Sequence, residues 1–570
     1  MKKHIIRNTA LCVCLLTGFS CGDYLDINQD PNNAKSASVE QLLTASQLAI
    51  GSVFGGQHTD GSGSINEDPS IFVQHYYNLS QSRFDIAGSD YDANWRDIYR
   101  EGLRDIEEIV KDGTEEELWA HVGIAQIEKA FVLTTLVDLW GDIPYIEALQ
   151  GQDNLAPAFD PGAEVYDAMF VLLDEAIANL SKEAPVPVND VFFGGEARQW
   201  IKAANAIKLN MYNKIRLVDP GRSAAGIMQL LAEGNLLATN ADDWDFRYGS
   251  NNSPENRHPL FIENYIACCL QFPSAYLIYT MNNENDPRLP YYFYRQSLQD
   301  PAGTSIPCDA IDCSPYDNNG YYGRGYFSRV QGDDSGIPND GTIRTTFGVY
   351  PAGGLYDIVR KNSQGDPIVT RSVSVSGNSG AGVQPLMTYF MQEFARAEAA
   401  LTIETGEDAR VLFQRAVTAQ IDKVVNFSTA TDPNALGKSS ELLDDLTGVP
   451  IGITVQQRID TYVQSKLDAF DAASGVEEKL AVLITEKHKA LFGVGWEAYN
   501  DYRRTGYPLF YNMQTKTGAL VMYPDNAREA ALVPNGEFPR RLLYPSLELN
   551  SNPNAPAQST KATPVFWDKN

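Results

Sequence analysis

The sequence predicts a mainly α-helical fold, in which paired helices flank an irregular, loop-rich part with a few short strands. Three observations lead there. Apolar residues recur at helical spacing over about 38–233 and again over about 384–500. Between about 234 and 383 the periodicity fades, and Gly, Asn, Asp, Pro and aromatic residues take over. After the first twenty residues, no run stays apolar for the roughly 20 residues a membrane-crossing helix needs.

The chain opens with Lys2, Lys3 and Arg7, then a short apolar run from Ala10 to Leu16, then Thr17-Gly18-Phe19-Ser20 and Cys21. This is the layout of a secretory signal. A signal ending in a small residue before Cys resembles that of bacterial lipoproteins, in which the cysteine becomes the acylated first residue; Gly18 departs from the usual Leu. Residues 1–20 are therefore expected to be removed and Cys21 to carry acyl chains. One chain holds weakly, whereas two or three anchor firmly. Cleavage takes away Lys2, Lys3 and Arg7 and no acid, changing the formal charge from −28 to −31 over 550 residues. Residues 21–37, polar and braked by Pro31, read as a tether. The acidic balance argues against nucleic acid as a partner, because phosphate is bound by Lys and Arg.

Helical spacing begins at Val39, Leu42, Leu43, Ser46 and Ile50. Helices over 95–111 and 117–140, 164–180 and 197–218, and 386–402 and 408–425 form three candidate hairpins, with a further helix near 477–492. Residues 118–140 are apolar nearly all round, as in a central buried helix, and stop at Gly141 with Pro144 beyond. Pairs that cannot bury a face alone suggest a tetratricopeptide-type stack, although the period of roughly 34 residues is absent. The tail after Asn500 reads as irregular surface chain. Residues 38–570 are expected to form a single domain.

Motifs for covalent chemistry fail one by one. Gly377-Asn378-Ser379-Gly380-Ala381 lacks the last Gly of a nucleophile elbow, and Gly493-Val494-Gly495 follows a helix instead of a strand. No cofactor or metal motif is found; Cys268, Cys269, Cys308 and Cys313 have no zinc spacing, and their disulfide pairing stays open. Tyrosine is the unusual residue, with 29 copies, many beside Asn and Gly. Flat rings with a polar edge stack on sugars, while Asn, Asp and Arg bond hydroxyls. Three clusters qualify: Tyr316, Asn318, Asn319, Tyr321, Tyr322, Arg324 and Tyr326; Tyr76, Tyr77, Arg83 and Tyr91; and Arg247, Tyr248, Asn251, Asn252, Arg257 and His258. Trp95, at the start of an amphipathic helix, reads as core.

Segments spread over the whole chain carry a resemblance: Cys21–Asp26 with Asn28–Asn32, Leu139–Tyr145, Asn285–Leu289, Phe394–Ala399, Gly495–Pro508, and Arg540–Pro545 with Glu548. Together, in this order, they resemble the SusD/RagB-like lipoproteins of Bacteroidota, in their second SusD-like subfamily. The resemblance implies four tetratricopeptide-like helix pairs packed on a loop-rich half. It also implies a surface lipoprotein that captures glycan and acts as the lid of a SusC-like TonB-dependent transporter, without covalent chemistry. Capture of peptide, or a helical scaffold that binds only protein, remains the alternative. The shared motifs imply structural roles for Trp140, Gly141, Pro144, Trp496, Arg503, Arg504 and Pro508. An Arg of the 503–504 pair is expected to meet a buried carboxylate, Glu398 or Glu497.

Overall fold

The computed structural model describes residues 37–56, 65–78, 84–267, 271–298, 325–326, 328, 345–368, 380–512, 521–522 and 538–569. The first half is a succession of helices: α1 (Val39–Gly55), α2 (Glu67–Phe72), α3 (Asp92–Asp97), α4 (Arg104–Glu115), α5 (Trp119–Trp140), α6 (Gly162–Leu180), α7 (Ala197–Lys214) and α8 (Pro220–Glu233). Helix α1 starts in a capping box, with Ser38 accepting from the Gln41 N–H and Gln41 accepting from the Ser38 N–H. The central position expected of α5 is observed. Twenty of its 22 residues are buried, and α4, α6 and α7 pack on it. It ends at Gly141, whose φ of 86° and close approach to the Arg541 guanidinium leave no room for a side chain.

The middle of the chain contains short elements, namely α9 (Ala275–Asn283) and α10 (Leu289–Tyr292), with the described strands arranged as two-stranded antiparallel ladders. β1 (Tyr76–Tyr77) pairs with β3 (Phe272–Pro273), β2 (Trp244–Arg247) with β6 (Val383–Met387), and β4 (Phe293–Arg295) with β5 (Thr345–Phe347). Helices return as α11 (Tyr389–Thr402), α12 (Ala409–Thr431), α13 (Val455–Ala472), α14 (Val476–Ala490) and α15 (Gly495–Thr505). The hairpin β7 (Glu441–Leu443) and β8 (Pro450–Thr454) precedes α13. The paired packing expected of 386–402 on 408–425 appears as α11 on α12, and α13 packs on α14. Helices α8 and α13 fall within the stretches expected to be helical but were not placed individually. Both carry start signals: Asp219 with Pro220 at the first turn, and a Thr454–Gln457 capping box.

One correction concerns the tail. Among the described residues beyond α15 it is largely irregular but holds one short helix, Ser546–Ser551, and it is not all surface chain. Phe538, Leu542, Tyr544, Val565 and Trp567 are buried in the same cluster as α1 and α5. Trp567 donates its indole N–H to Asp138 at 2.8 Å, Trp140 donates to the Leu543 carbonyl at 2.9 Å, and the Leu542 N–H meets the Leu139 carbonyl at 2.8 Å.

The arginine pair separates into two jobs. Arg504 forks onto buried Glu398, with a third bond to Asp501 at 2.8 Å, while Arg216 reaches Glu398 from just beyond the end of α7 at 3.2 Å. Arg503 instead caps backbone, donating to the carbonyls of Asp138 and Arg540 at 2.7 and 2.8 Å. Glu497 pairs with Lys214 at 3.1 Å. Trp95 is core, as expected, set edge-on to Trp140 at 5.5 Å.

Candidate functional site

Strand β4 ends at Arg295, which is buried against three other segments. Its Nε donates to Asp357 at 2.6 Å, its Nη2 donates to the Asp445 carbonyl at 2.8 Å, and its guanidinium carbon lies 4.8 Å from the centre of the Tyr326 ring. This one cation fixes the mutual position of Tyr326, the run 356–359 and the β7–β8 turn. Those segments, together with α9, the turn after it and α13, wall a groove of about 480 Å³.

The groove's carboxylates are already engaged. Asp357 and Asp445 hold Arg295. Asp444 closes its own turn, accepting the Thr447 N–H at 2.8 Å and the Thr447 hydroxyl at 2.7 Å. Partial burial would raise its carboxyl pKa, but those Thr447 bonds outweigh the effect and hold it below the usual range. Asp286 belongs to a buried network beneath the groove. Arg288 binds Asp286 through Nε at 2.8 Å and Glu486 through Nη2 at 2.6 Å, Tyr462 bonds both acids, and Lys489 meets Glu486 at 2.6 Å. A charge set buried this way is costly to disturb, so the groove rests on a stiff floor.

Above the floor lie groups suited to a ligand. Asn285 is exposed in the left-handed region, φ 53°, and Asn282 stands one turn earlier on α9. Arg458, half-buried on α13, has no ion pair or hydrogen bond within the described residues. Ile451 (41% exposed), Leu443 and Ile358 supply apolar surface beside Tyr326 and Tyr356. Amide and guanidinium donors over apolar and aromatic walls can bind a hydroxyl-rich ring by its edge and its face.

Of the expected ligand residues, Tyr326 lines this groove, at its buried edge. Tyr316, Asn318, Asn319, Tyr321, Tyr322, Arg324 and Arg83 lie outside the described residues, as do Cys21 and the four other mature cysteines. Tyr76, Tyr77 and Tyr91, read from sequence as loop tyrosines, are core instead. β1 pairs with β3 and sets Tyr76 edge-on to Phe347 at 5.0 Å, Tyr77 packs on Phe272, and Tyr91 donates to Asp68 at 2.8 Å beneath Trp140. Arg247 is exposed on β2 and lines a different cavity, Asn251 and Asn252 are exposed in a turn, Arg257 pairs with Glu255, and Tyr248 and His258 are buried. Asn282, Asn285, Arg295 and Arg458 were missed as site residues. Asn285 heads a segment singled out for its resemblance, while Arg458 sits on helix α13, which was not placed individually. Among the described residues no group of three or more His, Cys, Asp or Glu is placed to hold a metal ion, and no helix is long and apolar enough to cross a membrane.

A SusD-like family model described as starch-binding and associating with the outer membrane matches residues 31–310, and one described as SusD and RagB outer membrane lipoprotein matches residues 378–568. Similar solved structures include a chitin-binding protein (TM-score 0.65, 21% identity, 94% of this chain and 100% of that one). A SusD homologue from Bacteroides fragilis is similar over 94% of this chain and 100% of its own (TM-score 0.63, 16% identity). A chitin-binding SusD homologue from Flavobacterium johnsoniae is similar over 93% and 99% (TM-score 0.61, 19% identity). At such identities the likeness establishes the fold. No curated protein sequence matches the chain.

Proposed function

We propose that this chain, which belongs to the SusD/RagB-like family of outer-membrane lipoproteins, captures glycan in the Arg295–Tyr326 groove and serves as the lid of a SusC-like TonB-dependent transporter. Cys21 carries the lipid that holds it to the outer leaflet of that membrane, facing the medium. The work is binding without bond-breaking. Sugar rings lie against Tyr326 and the aliphatic wall, and their hydroxyls meet the Asn282 and Asn285 amides and the Arg458 fork.

The observation that carries this reading is the division of labour among the groove's charges. Its acids are engaged by Arg295, Arg288 and the Thr447 turn, while Arg458 keeps its donors for a ligand. Two of the similar structures are chitin-binding proteins, which supports an oligosaccharide as the ligand class. The residues 316–324 adjoin Tyr326 in sequence and are proposed as further contacts.

Affinity electrophoresis of the chain through gels containing a glycan panel tests this. At least one glycan should retard the native protein, and Arg458→Ala and Asn285→Ala should each relieve the retardation. Loss of one ligand hydrogen bond, at about 1–3 kcal/mol, weakens binding about fivefold or more. A protein retarded equally with and without those side chains binds elsewhere. Co-purification with a TonB-dependent barrel from outer membranes tests the lid.

A further inference from the structure

A second cavity, of about 470 Å³, opens between α1, the turn at residues 190–195 and β2, and shares no wall residue with the groove. Its apolar side is pre-formed. Asp190 accepts the N–H groups of Phe192 and Phe193, both at 2.8 Å, and the Val191 N–H meets Gln47 on α1 at 2.8 Å. The turn is thereby fixed with Phe192 edge-on to Phe246, ring centres 6.2 Å apart. Leu48 and Val191, 51% and 47% exposed, also line the cavity.

The polar side includes Arg247, which is exposed, but its buried end sets two carboxylates, Asp243 and Asp245, around a single cation. Lys423, from α12, is shared by the cavity's two carboxylates: it meets Asp243 at 2.7 Å and also bonds Asp245. Asp243 takes a further N–H from Tyr389 at 2.7 Å. Asp245 keeps only 6% of its side chain exposed, yet its Oδ1 has no partner among the described residues. Asn240 spends its amide N–H on the Ala419 carbonyl at 2.7 Å, and its Oδ1 is likewise unpartnered there. A buried acceptor without a donor costs about 1–3 kcal/mol. Burial raises the Asp243 carboxyl to about 6, and Asp245 beside it adds to the rise that Lys423 opposes. Arg247 is exposed and lies over the Phe427 ring, 6.0 Å from its centre.

Two orphaned acceptors, a carboxylate pair sharing one cation, and aromatic walls describe the complement of an N–H-rich positive group on a carbon skeleton. We propose that this cavity binds a primary ammonium ligand, its head against Asp245 and Asn240 and its skeleton against Phe192 and Phe246. An ammonium supplies three donors and the missing charge, and the ring faces attract it further. A hydroxyl in its place supplies one donor and no charge, so charge is what the site selects.

Isothermal titration of the mature chain at pH 7 with benzylamine, benzyl alcohol, glucosamine and glucose tests this. At least one amine should bind about tenfold or more tightly than its hydroxyl counterpart, since the interaction between a close pair of charges decides the difference. Binding by glucosamine alone assigns the site to amino sugars, and binding by benzylamine alone assigns it to amines outside sugars. Asp245→Asn should remove the preference for the amine. Because Asp245 also touches Lys423, Val191→Trp, which fills the exposed mouth without touching that triad, should abolish binding in a chain with an unchanged melting temperature. Arg458→Ala should leave amine binding unaltered, which separates this site from the groove. Equal binding of amine and hydroxyl compounds, or titrations blank for both amines, overturns the proposal.

Discussion

Arg504→Ala removes one half of a buried ion pair. Both partners are almost wholly enclosed, with side chains 2% and 1% exposed, and Arg504 grips both oxygens of Glu398. Truncating one partner of such a pair costs about 3–5 kcal/mol, because a charge is left in the interior without its counterpart. Arg216 remains at 3.2 Å from Glu398, so the expected loss is at the lower end, about 3 kcal/mol. The pair also sets a pH dependence. Burial alone would raise the Glu398 carboxyl, but Arg504 first and Arg216 second overcome it and hold the pKa down at about 2. A depressed carboxyl stabilises the fold above its unfolded value near 4.5 and loses that contribution as pH falls toward 2. Urea unfolding at pH 7 and at pH 3 measures both effects. The variant should unfold at lower urea at pH 7, and its gap from the native chain should narrow at pH 3. An unmoved midpoint at pH 7 refutes the assignment of this pair as a structural clamp.

His75 and His488 are buried ring to ring, centres 4.3 Å apart, and each Nε2 donates to a backbone carbonyl, of His488 and Val73 respectively. Burial depresses both, His488 to about 4, so the unfolded chain takes up protons first as pH falls from 6.5. Stability should therefore decline between pH 6.5 and about 4, and a His75→Phe variant should show a shallower decline in the same melting series. Trp567→Ala should cost about 3–5 kcal/mol, read as a shift in the urea midpoint, since the indole is fully enclosed and bonds Asp138. Gly141→Ala should destabilise by about 1 kcal/mol or more, through strain at positive φ and contact with Arg541; an unchanged melting temperature would show that Arg541 yields at no cost.

Local pattern and tertiary partnership were unequally legible in the sequence. Helix α5 was readable because apolar residues cover every face of it and Gly141 ends it. The Arg504–Glu398 pair was narrowed to two acids because all three residues lie in segments carrying the family resemblance. Helix α13 was not placed individually among its polar residues, although Val455, Ile459, Tyr462, Val463, Leu467 and Phe470 make one buried stripe. Tyr76 and Tyr77 looked like loop residues because the strand that buries them is formed by Phe272 and Pro273, far along the chain. The groove could not be assembled in advance for the same reason. Arg295, Tyr326, Asp357, Asp445 and Arg458 come from separate segments, and nothing local to any of them reports the others.

The hub at Asp138 also bears on how the chain is closed. Its carboxylate is completed by an indole 429 positions downstream. The early helices give that acid Tyr166 and Lys214 by themselves, so the indole is the last donor along the chain and ties its end to the centre of its first half.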